Sequence, residues 1–84
     1  MPRFLDIHHH GLEGFTPEQV AELHARDLAV QEAHGVRFLK YWYDPVTGKA
    51  FCLSEGPSKE AVLAVHQQAH GSTADEIFEV FEGE

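Results

Sequence analysis

Two helical segments, each opened by a capping signal and stopped by a glycine, divide this chain, and the stretches around them alternate as strands. Thr16-Pro17-Glu18-Gln19 opens the first: a threonine N-cap, a proline at the first helical position, and a glutamine placed to close a capping box. That helix is predicted to run to about His34, with Gly35 in the left-handed C-terminal position. Gly56-Pro57-Ser58 opens the second, Lys59 to His70, which stops at Gly71. Arg3 to His9 reads as a first strand, with Leu5 and Ile7 alternating against Asp6 and His8. Val36 to Asp44 and Ala50 to Ser54 flank the turn residues Asp44-Pro45-Val46-Thr47-Gly48 as a hairpin, and Glu76 to Phe81 is a last strand.

The resulting order, β-α-β-β-α-β, is the split βαβ pattern of ferredoxin-like domains. It predicts an α+β sandwich over residues 1–84, with both helices on one face of an antiparallel sheet. The expected strand order is fourth, first, third, second. The other face of the sheet is predicted to carry Phe38, Trp42 and Phe78, an apolar patch too large for a monomer to expose. A two-fold homodimer through that face is the expected solution. Length points the same way. At 84 residues, folding buries only a little over ~60% of the unfolded surface, and a lone cysteine cannot form an intrachain disulfide. Small domains of this kind rely on a partner subunit or a metal.

Fourteen Asp and Glu against six Lys and Arg give a formal charge of −8, which disfavours nucleic acid and anionic membrane and attracts cations. The longest apolar runs fall far short of a membrane span, and Met1 to Asp6 lacks the apolar core of a signal peptide. A reducing cytoplasm, with Cys52 as a thiol, is the expected compartment.

Seven histidines among 84 residues are the strongest chemical signal. The topology gathers several at one end: His8, His9 and His10 finish the first strand, His66 and His70 sit in the last turns of the second helix, and Glu76 begins the last strand. Asp44 ends the second strand there too. His66 and His70 are four apart, so they share a helical face and can reach one metal ion. The competing reading makes them polar residues at an exposed helix end, where a histidine cation suits the dipole. Strand alternation sends His8 and His10 to one face and His9 to the other, so the three cannot chelate together.

On the first helix His24, Asp27 and Gln31 fall within about 60° of each other, with His34 alongside. A histidine and an aspartate three apart can form a carboxylate–imidazole pair that orients a ligand nitrogen, or a hydrogen-bonded polar seam. His34 is expected at the opposite end of the fold from the His66–His70 group. Cys52 shares its strand face with Ala50 and Ser54, a face that matches Asp6 and His8 next door. Among imidazoles and a carboxylate its thiolate suits nickel, copper or zinc; otherwise it is a small buried hydrophobe. No glycine-rich phosphate loop, nucleophile elbow or paired CxxC is present.

The stretches FLDIHHHGLEG, HARDLAVQEAHGVRFLKYWYD, GKAFCLSEGP, KEAVLAVHQQAHG and ADEIFEV resemble a family of small bacterial nickel-binding proteins, over nearly the whole chain. The resemblance implies a ferredoxin-like dimer that binds nickel near its surface, with a role in sequestration or detoxification and no enzymatic activity. His8, His9, His66, His70, His24 and Asp27 lie in the matching stretches, whereas His10 looks like an extra histidine. The candidate metal ligands are therefore His8, His9, His66, His70, Asp6, His24, Asp27 and Cys52. The alternative is a dimeric α+β barrel enzyme resembling small monooxygenases or isomerases, with the Asp6–His8–Cys52 face beside Trp42 and Tyr41 lining its pocket.

Overall fold

The computed structural model describes residues 1–83. Among them the chain forms strands β1 (Arg3–His8), β2 (Arg37–Asp44), β3 (Lys49–Glu55) and β4 (Glu76–Val80), with helices α1 (Pro17–Val30) and α2 (Lys59–Ala69). The strands make one antiparallel sheet in the order β2-β3-β1-β4, as the split βαβ pattern requires. No helix among the described residues is long and apolar enough to cross a membrane.

The helix starts follow the chemistry of their caps. Thr16 Oγ1 accepts from the Gln19 amide at 3.2 Å, and the Gln19 side chain accepts from the Thr16 amide at 2.9 Å, closing the capping box. Ser58 Oγ accepts from the Ala61 amide at 3.2 Å and starts α2 in the same way. α1 ends earlier than its residue pattern suggests: from Gln31 to His34 it tightens into a 3-10 turn, which Gly35 terminates at φ 69°. Gln31 Oε1 accepts from the Phe38 amide at 2.9 Å and ties this turn to β2.

Alternation along β1 and β3 buries Phe4, Asp6 and His8 on one strand and Ala50, Cys52 and Ser54 on the other. These residues face the helices, so half of the inward face of the two central strands, Asp6, His8 and Ser54, is polar. The apolar core beside them is small: Phe4, Val36, Phe38 and Cys52 packed with Val62 and Val65 of α2. Leu5, Ile7, Phe51 and Leu53 point the other way and remain half-buried, with Trp42 50% and Phe78 46% exposed.

Phe38 departs from the sequence reading. It was expected on the open face with Trp42, but it is 6% exposed and belongs to the core. The cause is a register shift between Phe38 and Lys40, where β2 carries one residue more than β3. Phe38 thus pairs with Ser54 on the helix side, while Trp42 pairs with Phe51 on the open side.

Asp44 is likewise committed elsewhere than expected. Its carboxylate accepts from the Val46 amide at 2.9 Å and the Thr47 hydroxyl at 2.7 Å, holding the hairpin turn. Gly48 closes this turn at φ 78°, and a Cβ there would lie 2.8 Å from Glu13 Cα. Gly48→Ala therefore combines an unfavourable backbone region with a clash against the loop before α1. It should destabilise the protein by more than ~1 kcal/mol, seen in urea unfolding as a lower midpoint at unchanged slope.

Candidate metal centre

One histidine organises the interior. His66, on the inner face of α2, is 1% exposed, and both its ring nitrogens face carboxylates. Nδ1 lies 2.9 Å from Asp27 Oδ1 on α1, and Nε2 lies 3.1 Å from Asp6 Oδ2 on β1. Each carboxylate is shared with another imidazole. Asp6 Oδ1 is 3.1 Å from His8 Nε2, and Asp27 Oδ1 is 3.1 Å from His70 Nε2. The result is an alternating chain, His8–Asp6–His66–Asp27–His70, running from the sheet through α2 to α1. Cys52 joins it from β3, directly opposite Asp6 in the antiparallel register.

The charges follow from this geometry. Burial opposes a charge on His66, but hydrogen bonds with Asp27, Asp6 and Cys52 outweigh it and push the imidazolium up to about 12. Burial would also raise Asp6 and Asp27; their imidazole partners overcome it and hold both carboxyls below the usual range. Burial pushes the Cys52 thiol up to about 11, with the His66 hydrogen bond working against it. His24 is lowered, first by burial and then by the His66 cation, with Asp27 opposing.

The donor types match a transition-metal site. Asp6, His8, Cys52 and His66 each offer a ligand atom, all within 4.8 Å of one another, and Asp27, His66 and His70 form a second such group. Asp6 Oδ1 and His8 Nδ1 are buried and lack a hydrogen-bond partner among the described residues. His8 Nε2 approaches Asp6 Oδ1, yet the pair does not align as a hydrogen bond. Buried polar atoms left in this state are rare in native proteins and point to an occupant.

The structure brings together residues that the sequence placed in separate constellations. Asp27 of α1 meets His66 and His70 of α2, and Asp6, His8 and Cys52 complete the group from the sheet. His24 lies nearby, its ring 4.5 Å from that of Tyr41 and its Nδ1 buried without a hydrogen-bond partner among the described residues. His9 is not part of the centre: it pairs with Glu76 at the surface. His66 and His70 do not occupy an exposed helix end, since their side chains are 1% and 4% exposed, against Asp6 of β1 and Asp27 of α1. His34 meets Gln68 of α2 at 2.7 Å, outside the centre.

A small cleft of about 30 Å³ reaches this group beside Leu12, Val20, Leu23 and Tyr41. Residues 9–16 form a strap at its rim. The buried Leu12 points inward, and the Tyr43 hydroxyl reaches the carbonyls of Leu12 and Phe15 at 2.9 and 2.8 Å. The Asp75 carboxylate accepts from the amides of His9 and His10. The sequence reading did not single out Leu12 or Asp75, and neither carries a motif that would have marked it.

The ionised chain fixes how stability depends on pH. His66 holds its proton more tightly when folded than at the ordinary ~6.5, so its contribution is complete below pH ~6.5 and fades as pH rises toward 12. The two depressed aspartates act in the opposite sense, contributing above ~3.9 and losing that contribution as pH falls through their folded values. The melting temperature of the metal-free protein should therefore peak between about pH 4 and 6.5 and fall from pH 6.5 to 9. A melting temperature flat from pH 6 to 9 would mean that His66 is neutral.

The fold has a counterpart. The crystal structure of SCO4226 from Streptomyces coelicolor A3(2) superposes with a TM-score of 0.90 at 46% sequence identity, covering 98% of this chain and 99% of that chain. No curated protein matches the chain. The sequence model of the nickel-responsive, SCO4226-like proteins matches residues 4–80, which takes in every strand but for the first residue of β1, both helices and every donor of the buried group. This chain belongs to the nickel-responsive SCO4226-like family.

Proposed function

We propose that this protein binds a divalent transition-metal ion, nickel foremost, for sequestration or detoxification, and holds it in the buried centre. The observation that carries the reading is the set formed by Asp6, His8, Cys52 and His66, with oxygen, nitrogen and sulfur donors within 4.8 Å of one another, all buried. Two of its polar atoms have no hydrogen-bond partner among the described residues. The family's nickel responsiveness selects the ion, and imidazole with thiolate suits it chemically. Asp27, bound to Nδ1 of His66, would orient that ring toward the ion.

Nickel titration of untagged protein by calorimetry, with elemental analysis, tests this. Cys52→Ser is nearly isosteric and should weaken binding at least ~10-fold with an unchanged circular dichroism spectrum, a loss at or above what outer partners alone cause. His9→Ala with His10→Ala should leave affinity within about twofold of the parent. The reverse pattern would put the ion on the surface strap and overturn the buried assignment.

The same proposal includes a homodimer. The support is the open sheet face, where Leu5, Ile7, Phe51 and Leu53 are half-buried around an exposed Trp42 and Phe78. A second copy is the partner whose own apolar face matches it. Sedimentation at micromolar concentration should give twice the chain mass, and Trp42→Glu should shift it toward the monomer. A parent that sediments as a monomer would remove the dimer from the reading.

A further inference from the structure

The cleft beside the buried group has room for no more than a water molecule or two, at about 30 Å³. Behind it His8, Cys52 and His66 are all buried. A hydrated ion or a small organic molecule is larger, so part of the protein has to move before either can reach those side chains. The wall comes from the sheet, the two helices and the turn that ends α2, with one exception. Leu12 is the one residue of the strap, 9–16, that lines the cleft, and it fills its mouth as a buried plug.

The strap is built to move as a piece. The Phe15 amide donates to the Leu12 carbonyl at 3.1 Å, so Leu12 to Phe15 is a turn closed on itself. Gly11 stands before this turn and Gly14 within it, at φ 100° and 84°, and a Cβ on either would meet nothing within 4 Å. Glycine serves there for its backbone freedom, not for lack of room. At the start of the strap, the Asp75 carboxylate accepts from the amides of His9 and His10 at 2.6 and 3.1 Å. Over the cleft the turn is fastened to the sheet by the Tyr43 hydroxyl, which reaches the carbonyls of Leu12 and Phe15. A hydroxyl carries a single hydrogen, so it donates to one carbonyl at a time.

We propose that residues 9–16 are a gate over the buried group, with Leu12 as plug and the Tyr43 hydroxyl as latch, and that the gate opens while the sheet and both helices stay folded. The inference adds regulation of access to the centre proposed above. It rests on that reading only for what passes through, because the opening itself is read on metal-free protein. The latch stands on β2, outside the donor group, so it can be changed without touching a donor.

Cys52 is the lone cysteine, so its thiol reports the opening. The metal-free protein is treated with methyl methanethiosulfonate, a small neutral thiol reagent, and the rate is followed by mass spectrometry across low urea concentrations. Labelling should depend on urea far more weakly than global unfolding does, the mark of a local opening. Tyr43→Phe should speed it about tenfold, the worth of one ordinary hydrogen bond. Leu12→Ala, which trims the plug and keeps the latch, should also speed it at the same weak urea dependence. Ser58→Ala removes the cap of α2 and lowers global stability away from the strap, so it should change the rate by less than about twofold. Labelling with the full urea dependence of unfolding, sped alike by Tyr43→Phe and Ser58→Ala, would mean that Cys52 is reached only through unfolding and would overturn the gate. A weak urea dependence indifferent to Tyr43→Phe and Leu12→Ala would place the opening in another segment and overturn it equally. A nickel titration that fails at the buried centre would leave this result untouched, so the two readings fail separately.

Discussion

The imidazolium of His66, held between Asp6 and Asp27, is the contact around which the rest of the fold is arranged. It joins the central strand β1, helix α1 and helix α2 through one side chain. A buried ion pair of this kind is poor evidence of stabilisation, because an apolar set of similar volume often holds a fold as well or better. Removing one partner is another matter, since it leaves an uncompensated charge in the interior. The chain therefore carries, at the centre of a small domain, an arrangement whose explanation lies in its chemistry rather than in its contribution to folding.

That choice reverses the usual sidedness of the sheet. With Asp6, His8, Cys52 and Ser54 facing the helices, Leu5, Ile7, Phe51 and Leu53 of β1 and β3 are left on the outer side and Phe4 alone of their larger apolar residues faces in. The inner apolar core shrinks to a cluster around Val62 and Val65, and Phe38 reaches it only through the bulge in β2. The proposed metal centre and the proposed dimer thus share a physical origin: polar donors inside displace hydrophobic side chains outward, where a second copy can cover them.

Much of this was legible in the residues. The caps at Thr16 and Ser58 and the glycine stops gave element order, and order with handedness gave the strand arrangement. Strand alternation placed Asp6, His8 and Cys52 on one face. Burial of His66 was not legible: a histidine four residues from another near a helix end reads as a solvent-facing pair until the elements packed over it are known. The Asp27–His66 contact spans 39 positions, and local pattern carries no information about it. Phe38 was misplaced because a bulge changes the side-chain phase by one residue, and nothing in Arg37 to Asp44 announces it. Asp44 lies at the end of the fold where the histidines gather, but the turn chemistry around it claims its carboxylate.

The strap over the cleft sets a time scale as well as a boundary. Leu12 is 4% exposed, and its carbonyl is tethered to Tyr43 on the sheet, while Glu13 rests against the glycine of the hairpin turn. Donors this deep exchange their occupant only as fast as the surrounding segment opens, however tightly they bind. Retention by such a centre is governed by the frequency of loop opening, so two chains of equal affinity but different straps would differ in residence time. Under the proposed function, the molecule would behave as a slow-release store rather than a rapidly equilibrating buffer.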